Sequence, residues 1–207
     1  EKAGIKKLSK KRKYYKIQKE ISFYDKDSDT KISAYPSEEY QIETTVDYNS
    51  EILKEQNATL NSIKDFKNEI SSARTFCFLH EIEALLEKGL IKGGDLYNAV
   101  VISDRDISKD QKLKLKNIFN KEIHVNKSGV LNNIELRYEI EPARHKLLDV
   151  IGDLTLIGMP IQGKIIASKL GHKNNIKFAK YLKEIIMGDL NKKAPEIDFQ
   201  QEPFLDK

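Results

Sequence analysis

Three residues able to do chemistry recur every four positions in Ala143-Arg144-His145-Lys146-Leu147-Leu148-Asp149-Val150-Ile151-Gly152-Asp153-Leu154: His145, Asp149 and Asp153. In an α-helix, side chains four apart stack on one face. Leu147, Leu148, Val150, Ile151 and Leu154 cover much of the remaining surface, which predicts a largely buried helix. An imidazole and two carboxylates in such surroundings are costly unless each has a partner. One economical partner is a cation held by His145 and Asp149, since ligands at i and i+4 can reach a single ion. The other reading is a His–Asp hydrogen bond, because H-x-x-x-D alone is a weak pattern. Asp153, one turn on, adds a second carboxylate with only Lys146 as an evident counter-charge, which favours the cation.

His172 follows Gly171 at a strand-to-helix junction, where loops display functional side chains. It could serve there as an acid or a charge stabiliser; a capping or solvated histidine is the alternative. His80 opens a polar helix and His124 lies in a Lys-rich stretch, and neither carries a special reading. Cys77, between Phe76 and Phe78, reads as a packed strand residue rather than a nucleophile. Asp25-Lys26-Asp27-Ser28-Asp29-Thr30 begins like a calcium loop. Thr30 replaces the required Gly, however, and Pro36 the closing Glu, so a hairpin turn is expected. Gly163-Lys164 lacks the upstream glycine of a phosphate-binding loop.

The elements that must position these residues follow from periodicity. Alternation of apolar and polar residues predicts strands over 14–24, 31–35 and 40–48. Thr59 or Leu60 to Ile70 reads as an amphipathic helix through Leu60, Ile63, Phe66 and Ile70. A strand over 73–78, a helix over 81–88 stopped by Gly89, a loop over 90–94 and the strand Ala99–Ile102 form a small β-α-β-type insert. Residues 104–135 show weak pattern and read as solvent-facing turns. The ladder helix starts at Arg137 or Glu141 and runs to Ile157, a strand follows over 162–170, and a last helix runs from Gly171-His172 through Met187. From Lys192 the chain turns polar and Pro-bearing, as linkers do. Strands followed by helices on one face predict an α+β layered domain, helices packed on a β-sheet. We divide it into 1–12, the end of a truncated N-terminal domain; 13–190, the α+β domain; and 191–207, a linker or tail.

Composition narrows the classes. The 207 residues contain 36 Lys and Arg against 32 Asp and Glu, a net charge of +4, enough chain for a real core. Lys6 to Lys13 concentrates the basic excess, but no aromatic residue interleaves before Tyr14 and no nucleic-acid motif follows. A solvated helix end without nucleic acid is therefore expected. A single cysteine excludes an intrachain disulfide and points to a reducing, cytoplasmic home. No run approaches the about 20 apolar residues of a membrane span. The chain starts at Glu1 within an apparent helix end, which suggests a fragment.

Three segments in order resemble the C-terminal part of the UDP-3-O-acyl-N-acetylglucosamine deacetylases, zinc enzymes of lipid A synthesis. Ala73-Arg74-Thr75-Phe76-Cys77-Phe78 is similar to the family's ARTFGF strand. Gly89 to Gly94 with Asn98 to Val101 is similar to its next loop and strand. Arg144 to Leu154 with Gly171-His172 is similar to its RHKxLDxIGDL…GH signature. The resemblance implies the second half of a two-domain deacetylase, with His145 and Asp149 as two of three zinc ligands. The third ligand, a His, and the Glu that acts as general base belong to an N-terminal domain missing from this sequence. It further implies His172, oriented by Asp153, as the group that stabilises the oxyanion or protonates the leaving amine, with the Thr75 hydroxyl nearby. Phe76 would pack on the sugar, Lys146 would face a diphosphate oxygen, and Ile82, Ile91, Ala99 and Val101 would line the acyl passage, although ordinary core packing remains open for these four. Cys77 replaces the usual Gly, and Met159 stands where many relatives have His. The tail from Ala194 resembles the linker to a fused 3-hydroxyacyl-carrier-protein dehydratase. The rival readings are a non-catalytic anion-binding module using the basic N-terminus, and an unrelated metal hydrolase completed by His124 or Glu141.

Overall fold

The computed structural model describes residues 4, 6, 9, 13–82, 98–127, 129–132 and 134–193. Its strands are β1 (Tyr15–Lys16), β2 (Ile21–Asp25), β3 (Thr30–Tyr35), β4 (Gln41–Val46), β5 (Gln56–Leu60), β6 (Thr75–Phe78), β7 (Ala99–Ile102), β8 (Ile161–Gln162) and β9 (Lys164–Ser168). Its helices are α1 (Phe66–Glu69), α2 (Lys109–Phe119), α3 (Glu141–Leu154) and α4 (His172–Lys193). Five strands form the main sheet in the order β2-β3-β9-β4-β5, antiparallel except for the β4–β9 pair. Alternation aims Thr30, Ile32 and Ala34 of β3, Ile42, Thr44 and Val46 of β4, and Ile165 and Ala167 of β9 into the core. Helix α3 packs on β4 and β5, α4 packs on β2 and β3, and the two helices pack on each other. This is the expected α+β layering.

Small residues let α3 approach the sheet closely. Ala143 of α3 is fully buried, and its carbonyl accepts a hydrogen bond from the buried Thr44 hydroxyl at 3.3 Å. Leu147, Val150 and Leu154 continue the buried stripe at helical spacing. Gly158, at φ 83°, closes the 3₁₀ turn that follows the helix, and the chain returns through β8 and β9.

The β-α-β-type insert is also present. Strands β6 and β7 are parallel, and the chain turns helical at 79–82 directly after β6. Phe78, Val100 and Ile102 face one side of this ribbon, packing with Leu53 and Val130. Val101 faces the other, packing with Leu79, Ile82, Leu115, Ile123 and Leu131. Helix α3 touches both the main sheet and β6, so it joins the two layers.

Several expected elements are corrected. Gln56–Leu60 is an edge strand on β4, so the helix expected from Thr59 or Leu60 shrinks to a 3₁₀ turn over Ile63–Asp65 and the single turn α1. Ala58 and Leu60 are buried while Ile63 is exposed, so period two prevails over the longer spacing. Residues 104–135 are not all solvent-facing turns: α2 lies there, with a capping box between Ser108 and Gln111. Leu115, Ile123, Val130 and Leu131 are buried. The strand expected over 14–24 is two strands interrupted at 17–20, and Gly163 divides the strand expected over 162–170. Helix α4 outlasts Met187 and reaches Lys193. Asp25 to Thr30 is the expected hairpin turn, with Asp29 at φ 52°. The helix expected over 81–88 begins at Leu79, and its part beyond Ile82, the loop 90–94, most of 1–12 and the tail from 194 lie outside the described residues. No helix among the described residues is long and apolar enough to cross a membrane.

Gly163 makes a close approach that only a glycine permits. Its φ is +156°, and a Cβ there would lie 2.7 Å from Ile17 Cγ1 and 2.8 Å from the Tyr35 carbonyl oxygen. Gly163→Ala is expected to lower the unfolding free energy in urea by about 1–3 kcal/mol. An unchanged midpoint would contradict this packing.

Candidate active site

Helix α3 presents its polar face where the sheet meets β6. The side chains of His145, Asp149 and Asp153 are 16%, 9% and 14% exposed, so all three need partners. His145 Nδ1 lies 3.2 Å from the Ala73 carbonyl oxygen, just before β6. A carbonyl only accepts, so Nδ1 carries the proton and Nε2 is left facing Asp149 Oδ1 at 3.4 Å. Two lone pairs at that separation repel unless a proton or a metal ion lies between them. An imidazole tied at Nδ1 beside a carboxylate is a donor pair suited to a divalent ion. Among the described residues no group of three or more His, Cys, Asp or Glu gathers that could hold a metal, and His145 with Asp149 is a set of two.

Asp149 is the hub. Its Oδ2 lies 3.0 Å from Lys146 Nζ and 3.8 Å from His172 Nε2. His172, at the first position of α4, is 64% exposed and bonds through Nδ1 to Asp153 at 2.9 Å. Asn175, on the same helix turn, donates from Nδ2 to the same carboxylate at 2.9 Å. Asp153 is thus held from two sides, and it fixes His172 with Nε2 toward Asp149. The structure brings His145, Lys146, Asp149, Asp153 and His172 together.

The rest of the surround is aromatic. Lys146 Nζ sits 5.7 Å from the centre of the Phe76 ring, and Tyr48 meets Phe76 and Phe78 edge-on, with centroids 5.3 and 5.8 Å apart. Burial pushes the Tyr48 phenol above its ordinary range, with the Asp149 and Glu81 carboxylates adding to the effect. Thr75 is exposed and pairs with the half-buried Ala99 across β6–β7. Ile82 and Val101 lie inside the insert's core cluster, and Ile91 lies outside the described residues. Cys77 is half-buried, its thiol pushed up to about 11 by burial and by Glu81, which suits packing rather than nucleophilic attack. His80 stacks on Phe78, and His124 is exposed.

Neither Asn175 nor Tyr48 was visible as a site residue in the sequence. Asn175 carried one usable signal, since it stands three positions after His172 and so shares its helix face. Tyr48 carried none, because the fold alone brings β4's end against β6.

Glu141, weighed above as a metal donor, has another task. Its carboxylate is fully buried and accepts from Arg74 Nε at 2.8 Å, Arg74 Nη2 at 2.9 Å, and the backbone N–H groups of Arg74 and Arg137 at 2.8 Å each. Burial raises its pKa, but these four donors outweigh burial and hold it below the ordinary value of 4.5.

The layered fold and this helix face define an α+β protein carrying a histidine–carboxylate site with two candidate metal donors. The chain belongs to the UDP-3-O-acyl N-acetylglycosamine deacetylase family, LpxC, whose pattern it matches over residues 1–122 and 117–184. It is 42% identical to the "Bifunctional enzyme LpxC/FabZ" of Bacteroides thetaiotaomicron, over 100% of this chain and 45% of that protein. It is 41% identical to the protein of the same name from Porphyromonas gingivalis, over 94% of this chain and 42% of that one. It is 37% identical to the "UDP-3-O-acyl-N-acetylglucosamine deacetylase" of Syntrophus aciditrophicus, over 87% of this chain and 50% of that protein. The chain therefore spans half or less of the length of these three relatives.

The Arg74–Glu141 pair sets an acid limit on the fold. A carboxyl depressed in the native state contributes stability above its unfolded pKa and loses it as pH falls through the native value. Stability is therefore expected to fall below pH 4.5, the ordinary glutamate value, as this group protonates. Glu141→Ala, which strands the buried guanidinium, is expected to cost about 3–5 kcal/mol in denaturant titrations at neutral pH. A cost near zero would mean that the pair is solvated.

Proposed function

We propose that the chain is the carboxy-terminal part of a zinc-dependent deacetylase that hydrolyses the acetamide of UDP-3-O-acyl-N-acetylglucosamine in cytoplasmic lipid A biosynthesis. The observation that carries this reading is the juxtaposition of His145 Nε2 and Asp149 Oδ1, 3.4 Å apart, with Nδ1 tied to a carbonyl. His145 and Asp149 would hold the ion, and a third donor and a general base would come from a segment outside this sequence. Zinc, when bound, supplies a Lewis acid that activates water and polarises the acetamide carbonyl.

The chain's own groups do the rest. Asp153, steadied by Asn175, accepts from Nδ1 of His172 and leaves Nε2 to carry a proton toward the reacting carbonyl. A proton held there stabilises the developing oxyanion or passes to the leaving amine. The Thr75 hydroxyl would donate near the same oxygen, Phe76 would offer an apolar face to the sugar, and Lys146 would offer a point charge to the diphosphate. Ile82, Ile91, Ala99 and Val101 would receive the acyl chain, gaining about 0.8 kcal/mol for each buried CH₂. A dehydratase fused after the tail would accompany this activity, in keeping with the tail's resemblance to such a linker and with the bifunctional relatives.

The isolated chain is expected to bind zinc weakly and to turn over no substrate; measurable turnover would contradict the incomplete donor set. Joined in frame to the amino-terminal part of the Bacteroides thetaiotaomicron relative, it is expected to deacetylate UDP-3-O-acyl-N-acetylglucosamine. In that protein His172→Ala should lower kcat by about 10²- to 10⁴-fold with little change in KM. A folded, zinc-loaded joined protein without activity would overturn the proposal.

A further inference from the structure

Two side chains one turn apart on α3 grip the same peptide group. The Ala73 carbonyl accepts from His145 Nδ1, and the N–H of that peptide, on Arg74, donates to Glu141 Oε1 at 2.8 Å. The peptide is trans, so its C=O and N–H point in opposite directions. Residues four apart on a helix are separated by about one 5.4 Å turn along the axis, which suits a peptide lying between them. Glu141 also accepts from the Arg137 N–H and the Arg74 guanidinium, so it is anchored on three sides. The carbonyl at His145 therefore cannot rotate away without breaking the bond at Glu141.

We propose that Glu141 is a positioning residue for His145: by holding the 73–74 peptide it keeps the Ala73 carbonyl on Nδ1 and the Nε2 edge of the ring turned to Asp149. The metal consequence rests on the function proposed above; the ring position does not. A polar group behind a ligating histidine commonly fixes its tautomer, and its loss weakens metal binding. The Arg74 side chain anchors Glu141, yet the grip itself runs through the Arg74 backbone. Charge pairing and ring positioning are thus separable by mutation.

The test follows the His145 Nδ1–H proton in ¹H–¹⁵N NMR spectra of the full metal-free chain. Unmodified chain is expected to show this proton hydrogen-bonded and protected from exchange. Glu141→Leu removes the acceptor for the Arg74 N–H and is expected to abolish that protection. Arg74→Lys keeps the backbone donor and is expected to lower Tm with the Nδ1–H signal unchanged. Should Glu141→Leu fail to fold, the double variant Arg74→Leu with Glu141→Leu removes both buried charges and frees the same N–H. A folded Glu141→Leu variant with an unchanged Nδ1–H signal overturns the proposal. In zinc titrations, Glu141→Leu is expected to weaken affinity about ten- to a hundredfold, and Arg74→Lys to leave it unchanged. Loss of Nδ1–H protection in chains that bind no zinc would uphold the positioning role and overturn the metal reading.

Discussion

A helix that lies between a sheet and a second layer cannot bury a histidine and two carboxylates on one face unless each is given a partner. Helix α3 meets this constraint with groups drawn from across the chain. Ala73 takes one side of His145, Lys146 neutralises Asp149 from the next turn, and His172 with Asn175 saturates Asp153. His145 Nε2 and Asp149 Oδ1 are left facing each other, a contact that needs a proton or a metal ion between them.

The frame that enforces this arrangement is built from two kinds of contact. Toward the sheet, Ala143, Leu147, Val150 and Leu154 supply an apolar stripe, and Thr44 adds a hydroxyl bond that fixes the helix along its axis. Toward the insert, the contact is ionic: Glu141 is fully buried and gathers four donors. A buried pair of this kind adds little net stability over a hydrophobic pair, but it does specify geometry. Here the geometry it specifies is the path of the chain entering β6, and with it the carbonyl behind His145. Helix α4 then enters with His172 at its first position, so the junction of β9 and α4 delivers the imidazole to Asp153.

The periodic parts of the fold were legible. The ladder helix, the strand Ala99–Ile102 and the hairpin at Asp25–Thr30 all carry local signals that nothing distant overrides. Gln56–Leu60 was not legible as a strand, because its edge position leaves polar residues on one side and only Ala58 and Leu60 on the other. Helix α2 buries a single leucine, Leu115, among its described side chains, too little for a stripe to show, although its Ser108–Gln111 capping box stood in plain view. Of the site, the titratable residues on α3 and α4 could be read from spacing. The backbone carbonyl of Ala73 could not, since backbone groups leave no mark in a sequence, and Asn175 offered only its spacing from His172 until the fold set it against Asp153.

In the proposed function, α3 supplies two donors to a metal completed by a segment outside this sequence. Anomalous diffraction at the zinc edge, on crystals of the chain joined to the amino-terminal part of its Bacteroides thetaiotaomicron relative, tests it most directly. One peak is expected within bonding distance of His145 Nε2 and an Asp149 oxygen, about 2.0–2.2 Å, with a further donor from the added segment. A peak held by other residues, or His145 and Asp149 sharing only a proton in zinc-saturated crystals, would contradict it.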